Sequence, residues 1–267
     1  MKRLLLCAIF IGLTATSCSS DDDTDPVDTE SQNIFLPLTA GNFWTYDVAG
    51  NGIDGRDSLY VSNDTVIDGL DYKKMRTLAL PAGFYSGSMN KNAVRKSGSS
   101  VVMWGETGIS FPGVTPIIVA LDDFIIFREN ATENDALSTV SGQSEQELQG
   151  YPITIQYNLK STAGATMASY IAPNGITYTD VKVVKVAMNL HVFSVVDVAG
   201  VPVNFPLLQS QDVIVSNQYY VKNIGMVHAA TTFSYNLEDL SSLGITLPIP
   251  QSMNELTTET IATFQAN

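Results

Sequence analysis

Residues 177–198 read TYTDVKVVKVAMNLHVFSVVDV, and this stretch decides the class of fold. Val181, Val183, Lys185, Ala187 and Asn189 alternate with Lys182, Val184, Val186, Met188 and Leu190. The β-branched content and the two-residue period are those of a strand, because successive side chains of an extended chain point to opposite faces. Polar residues fall on both sets, so neither face is cleanly wet.

Working outward, short β-branched and aromatic runs recur between Gly, Asn, Asp and Pro, at 43–48, 58–62, 65–67, 72–78, 153–161, 211–215, 218–222, 226–235 and 259–264. Asp68-Gly69 between two such runs is a hairpin signal, since the tight turn needs positive φ. Residues 93–96 and 100–104 face each other across Ser97-Gly98-Ser99, and 124–128 forms another run. Residues 132–149 are polar and read as a loop or a short helix near 144–148. A helix at 237–243 would have to stop before Pro248 and Pro250. The expectation is a mainly β protein: an antiparallel curved sheet, as a sandwich or partial barrel, with at most one or two short helices. The runs look too short and irregular for a membrane-spanning barrel, which needs a continuous apolar outer face.

The chain has 267 residues, 14 Lys and Arg against 27 Asp and Glu, and a formal net charge of −13. An acidic chain with no basic cluster lacks the cationic face that neutralises phosphates, so nucleic acid is not an expected partner.

Lys2 and Arg3 precede an apolar run at 4–13, followed by Thr14-Ala15-Thr16-Ser17-Cys18. A basic start, about ten apolar residues and a small-residue cleavage region make a secretory signal peptide at 1–17, too short to cross a bilayer of ~30 Å. Ala15-Thr16-Ser17-Cys18 resembles the lipobox of bacterial lipoproteins, with Thr14 where Leu is commonest. That resemblance implies diacylglycerol on the Cys18 sulfur, cleavage before it and acylation of its amine, hence membrane attachment through an N-terminal lipid. Cys7 departs with the signal and Cys18 carries lipid, so disulfides would not stabilise the mature chain.

Residues 18–33 read as a lipidated Cys and a disordered acidic tether, since six of the ten residues from 21 to 30 are acidic. Ser19, Ser20, Asp21, Asp22 and Asp23 resemble the export signal of Bacteroidota surface lipoproteins, which implies lodging on the outer face of the outer membrane. From Ser31 onward 12 bases face 21 acids, so the folded part is itself acidic. Residues 34–267 are expected to form a single β-rich domain. The patches at 35–46, 63–74 and 219–227 look like the first strand, the following hairpin and the closing Ile-Gly turn of secreted Bacteroidota proteins, a resemblance that implies fold and compartment but no chemistry. Within the first patch, Trp44 and Tyr46 share one strand face, as core or as an aromatic ligand platform. Asp57-Ser58-Leu59 and Asp64-Thr65-Val66 resemble the O-glycosylation acceptor of the same group, making Ser58 and Thr65 its candidate residues.

The chemical motifs are sparse. His191 and His228 are far apart and fall in no His-Glu-x-x-His pattern, so they read as half-buried or exposed strand residues and no metal is expected. Asp47, Asn51, Asp54 and Asp57 crowd a Gly-rich loop but miss the EF-hand order and read as solvated turn residues. Ser88-Met89-Asn90-Lys91 fits Ser-x-x-Lys without its Lys-Thr-Gly companion, and no Gly-x-Ser-x-Gly elbow occurs. Asp122-Asp123 between apolar runs reads as a turn. No catalytic residue and no cofactor is expected.

The leading expectation is an outer-membrane surface lipoprotein whose non-enzymatic β domain binds a ligand or a surface protein. One alternative is a periplasm-facing carrier of lipid or lipoprotein with a closed apolar cavity on the order of several hundred Å3. The other is a glycan hydrolase, with two carboxyls about 5–10 Å apart in an open groove. The anchor is checked directly: Cys18→Ala should move the protein from the membrane to the soluble fraction, and mass spectrometry of the wild type should find acyl mass on an N-terminal Cys18.

Overall fold

The computed structural model describes residues 34–50, 52–111, 115–148, 150–239 and 249–267. The leader, Cys18, Ser19, Ser20, Asp21, Asp22, Asp23, Asn51 and most of the expected 237–243 helix lie outside them; Leu237, Glu238 and Asp239 are not helical. Asn33–Asn267 forms one compact unit.

Twelve strands and one helix follow in order: β1 Phe43–Gly50, β2 Ile53–Ile67, β3 Leu70–Thr77, α1 Phe84–Met89, β4 Ala93–Ser97, β5 Ser100–Ile109, β6 Ile117–Arg128, β7 Ala136–Leu148, β8 Tyr151–Ile171, β9 Thr177–Val198, β10 Val201–Val221, β11 Gly225–Asn236 and β12 Ser252–Gln265. They form one antiparallel sheet, curled into a nearly closed barrel, in the order β6-β5-β4-β3-β2-β1-β12-β11-β10-β9-β8-β7. The first and last strands pair in the middle of the sheet, with Trp44 opposite Phe264 and Val48 opposite Glu259. The sheet's two edges, β6 and β7, are therefore consecutive in the chain. Side chains link β6 to the opposite rim: Ile125 N donates to Ser138 Oγ of β7 (2.8 Å), and Ser161 Oγ of β8 donates to Ile125 O (2.6 Å).

In β9, Val184, Val186, Met188 and Leu190 are buried, while Lys185 and Ala187 lie on the outer face. Val181 is also buried, three residues from Val184, so the inward parity switches once. The β8 partner shows a matching register shift between Ala163 and Thr166. That irregularity is why the alternation read from the sequence seemed mixed. Exposed Thr139, Ser141, Gln143, Gln156 and Lys160 continue the wet outer face across β7 and β8, in place of an apolar lipid-facing band.

Several sequence expectations need correction. Residues 136–148 form a 13-residue strand, neither loop nor helix. Its exposed side carries Thr139, Ser141, Gln143, Glu145 and Glu147, and its half-buried side is also largely polar, which concealed the two-residue period. Asp122 and Asp123 lie inside β6 rather than in a turn. Asp123 has φ 47° beside a register shift in the β5–β6 ladder, and its carboxylate takes hydrogen bonds from Tyr72 and Arg95. The strands are also longer than the runs suggested, with β8, β9 and β10 at 21, 22 and 21 residues. Pro202 and Pro206 lie in a stretch of β10 that pairs with β9 alone, β11 joining only from Ile214 onward, a border position of the kind that tolerates proline.

Asp68 (φ 50°) and Gly69 (φ 80°) form the expected hairpin turn, and the β4–β5 hairpin closes as read. At this lower end of the barrel the chain comes in along residues 34–42. Phe35 stacks on Phe127 at 4.8 Å, and fully buried Asn42 ties the two chain ends together, accepting from Asn267 N (3.1 Å) and donating to Asn267 O (3.3 Å).

Trp44 and Tyr46 are both fully buried in the barrel. Their polar atoms are satisfied by the β10–β11 turn, Trp44 Nε1 donating to Ile224 O (2.5 Å) and Tyr46 OH to Met226 O (3.1 Å). Gly225, at φ 111°, is fixed by this contact, since a Cβ there would lie 3.0 Å from Trp44 Nε1. Trp44→Phe should leave the Ile224 carbonyl unpaired and lower the unfolding free energy by about 1–3 kcal/mol. A chemical-denaturation midpoint measures it.

Candidate functional site

The upper end of the barrel is built around the link from β3 to β4, which dips inward as α1. Six residues with no side-chain cap of their own make a weak helix. Two buried carboxylates from distant strands supply what the sequence lacks. Asp57 of β2 accepts from Ala82 N (2.9 Å) and Gly83 N (2.8 Å). Glu259 of β12 accepts from Tyr85 N (2.7 Å), Ser86 N (2.9 Å) and Ser86 Oγ (2.7 Å). Main-chain donors at a helix start are otherwise orphaned, and a carboxylate is their strongest acceptor.

Aromatic rings complete the seat. Tyr85 packs edge-on against Tyr46 (5.9 Å) and Tyr220 (6.3 Å), and Phe84 against Phe233 (6.1 Å). Burial, outweighing the Ser86 and Tyr85 donors, pushes the Glu259 carboxyl up to about 7, with the Asp57 charge acting in the same direction. Burial likewise raises the Tyr46, Tyr85 and Tyr220 phenols. Buried His228 on β11, with Nδ1 3.1 Å from Thr260 Oγ1, is held below the usual histidine range by desolvation. It is more deeply buried than the half-buried or exposed residue expected.

Beside α1 the mouth opens into a pocket of about 760 Å3. One wall is apolar, formed by Phe233 and Tyr235 of β11, Ile249, Pro250 and Met253. Ser88, Asn90, Lys91, Glu106 and Thr107 bring polar groups to the lining, interspersed with Phe84, Ile109 and Phe111. Buried Asn92 fixes this part of the lining by donating to Ser88 O and Glu106 O (both 2.7 Å) and accepting from Glu106 N (3.0 Å). Lys91, at φ 70°, is clamped by Lys74 Nζ on its carbonyl (3.2 Å) and by its own N–H on Met75 O (2.9 Å). Phe111, Tyr235 and Ile249 also line a narrow, wholly apolar cleft of about 50 Å3 leading into the barrel. Phe84 and Ser88 line a second small space of about 30 Å3 behind α1.

Trp44 and Tyr46 present no face for a ligand platform, since the pair is sealed in the core. Ser58 is half-buried in mid β2 opposite Thr45, and the Asp57 of its triad is committed to the chain before α1. Thr65 is half-buried nearer the hairpin, where Asp64 pairs with Lys73 (2.6 Å). The crowded Asp47, Asp54 and Asp57 do not act together: all three lie in strands rather than in a turn, Asp47 and Asp54 are exposed, with Asp47 paired to Arg56 (2.5 Å), and Asp57 is buried rather than solvated. Ser88 and Lys91 both sit on the pocket rim, one in α1 and one just after it. His191 lies on the outer face of β9, 3.3 Å from Gln156.

Sequence reading missed α1, Glu259 and the pocket. The available signal was an acid at inward parity in β12, where Thr257 and Ile261 are its buried neighbours on that face. The chain matches no protein-family model, no curated protein and no solved structure.

Gly83 is the pivot of the seat, because a Cβ there would fall 2.1 Å from Glu259 Cδ. Gly83→Ala should displace the carboxylate and lower the unfolding free energy by about 1–3 kcal/mol. Gly55, with no atom within 4 Å of an added Cβ, gives a control substitution that should change it far less.

Proposed function

We propose that this chain is a non-enzymatic, lipid-anchored binding protein of the outer-membrane surface, acylated at Cys18 and exported through Ser19, Ser20, Asp21, Asp22 and Asp23. Its barrel mouth takes a small amphipathic ligand. The observation that carries the reading is the 760 Å3 pocket beside α1, whose lining mixes aromatic and aliphatic side chains with polar ones. That size and mixture suit a ligand with an apolar body and a few polar groups.

Two features favour this reading over its rivals. The apolar cleft holds about 50 Å3, far below the roughly 300 Å3 of a small-ligand cavity, so it is not a reservoir for an acyl chain. The buried carboxyl pair of Asp57 and Glu259 lies beneath α1 with its oxygens engaged by main-chain donors, not in an open groove where a glycosidic bond could reach both.

The probe is 1-anilinonaphthalene-8-sulfonate, an aromatic anion of matching character. Its fluorescence should rise saturably with the protein, and Phe233→Ser with Tyr235→Ser should weaken binding at least tenfold, about 1.4 kcal/mol. Substitution of exposed Phe264 should leave it unchanged. Unsaturable binding, or equal affinity in the pocket variant, would overturn the reading.

A further inference from the structure

The outer face of the sheet carries a second concavity, a groove of about 490 Å3 across β7, β8, β9 and β10, which shares no lining residue with the mouth pocket. Two cross-strand rows build it. Ser141, Asn158 and Asn189 stand opposite one another in the β7–β8 and β8–β9 ladders, and two residues further along Gln143, Gln156 and His191 do the same. Such neighbours on one sheet face lie within reach of each other. In β10 the pairing with β9 steps from Leu208 opposite Val192 to Gln211 opposite Leu190, so Gln209 and Ser210 together stand opposite His191. A bulge of this kind bends its strand and re-aims its side chains, and here it brings Ser210 into the groove.

The side chains of the groove are tied to one another. Asn158 Nδ2 donates to Ser141 Oγ (2.6 Å), Ser210 Oγ to Asn189 Oδ1 (2.8 Å) and Asn189 Nδ2 to Asp212 Oδ1 (3.1 Å), while His191 Nδ1 lies 3.3 Å from Gln156 Oε1. These bonds fix one end of the Asn158 and Gln156 amides and leave the other end open. Among the described residues, Asn158 Oδ1, Gln156 Nε2 and both ends of the Gln143 amide have no partner, and the Ser141 hydroxyl keeps its proton to give. The His191 ring is steadied by buried Phe193, 5.1 Å away. Among the described residues that line the groove there is no Asp, Glu, Lys or Arg, and Asp212 at its end is met by Lys185 (4.0 Å).

We propose that this groove binds a neutral oligosaccharide. An anion finds no cation in the lining, a cation finds no carboxylate, and a lipid finds no aliphatic side chain. A sugar finds what it needs. Each hydroxyl both gives and takes a hydrogen bond, and a side-chain amide presents a donor and an acceptor in one plane, so neighbouring hydroxyls of one ring can bridge it. The bonds within the rows already hold the amides in place, so little rotamer freedom is lost when a ligand settles on them. Three inter-strand spacings of ~4.8 Å carry the groove about 14 Å from β7 to β10, longer than a single sugar ring. The ligand class is therefore a chain of sugars rather than a monosaccharide.

Isothermal titration calorimetry tests the proposal with a panel of neutral oligosaccharides built from glucose, galactose, mannose and xylose, and with polygalacturonate and chitosan oligomers as charged comparators. At least one neutral member should bind saturably, and Gln156→Ala with Asn158→Ala should weaken it at least tenfold at an unchanged denaturation midpoint. Should that double variant not fold, Gln143→Ala, at an exposed position without a partner among the described residues, should still lower the affinity. Thr139→Ala, on the same face but outside the groove, should leave it unchanged. Absence of saturable binding by every neutral member, binding confined to the charged comparators, or full affinity in the folded groove variants overturns the proposal. So does loss of sugar binding in Phe233→Ser with Tyr235→Ser, which would move the sugar to the mouth pocket. Groove and mouth pocket thus stand or fall separately, since each is read with its own probe and its own variants.

Discussion

The ladder between β1 and β12 is the constraint on which the molecule depends. By pairing the first strand with the last, it turns a plain meander into a barrel whose ends of chain lie in mid-sheet. It also sets Val48 opposite Glu259 and Tyr46 opposite Ile261, with Asp57 across from Tyr46 on the other side, so two acids from opposite ends of the sequence come to face the same helix. Such a closure is costly in chain entropy, because nearly the whole chain must be looped before the contact forms. The core around Trp44, Tyr46 and Tyr220 offsets that cost by burying large rings that also find partners for their polar atoms.

The seat of α1 illustrates how finely opposed the forces are. Burying a carboxylate costs several kcal/mol even after relaxation, while each hydrogen bond to a charged group returns about 1.5–3 kcal/mol. Glu259 accepts three and Asp57 two, which brings gain and cost close to balance. The same segment lines the pocket, so ligand space and acid chemistry are joined in one short piece of chain.

The sheet was legible where local chemistry and tertiary role agree. Asp68-Gly69 announces its turn through backbone freedom, and the Ser97-Gly98-Ser99 hairpin shows in the runs on either side. Residues 136–148 were opaque because an edge strand with a wet exterior and a largely polar inner side carries no apolar period. Residues 201–210 were opaque because Pro202 and Pro206 argue against a strand unless it is known that β11 leaves that side free. The helix at 84–89 was invisible for a related reason: its caps are Asp57 and Glu259, and nothing local to Gly83 or Phe84 signals them. The candidate site inherits this opacity, since its lining comes from α1 with β5 and from β11 with β12, strands brought together only by closure.

The seam between β6 and β7 has a topological meaning. β6 meets the opposite rim through Ser138 of β7 and Ser161 of β8, while the outer ends of β1 and β12 are tied by Asn42 and Asn267. A permuted gene that joined those ends and began at β7 would encode a simple meander from one free border to the other, with every existing rung intact. The present arrangement thus hides its weakest border inside the polypeptide, where the short link at 129–135 keeps the two rims from drifting apart or recruiting a stranger's strand.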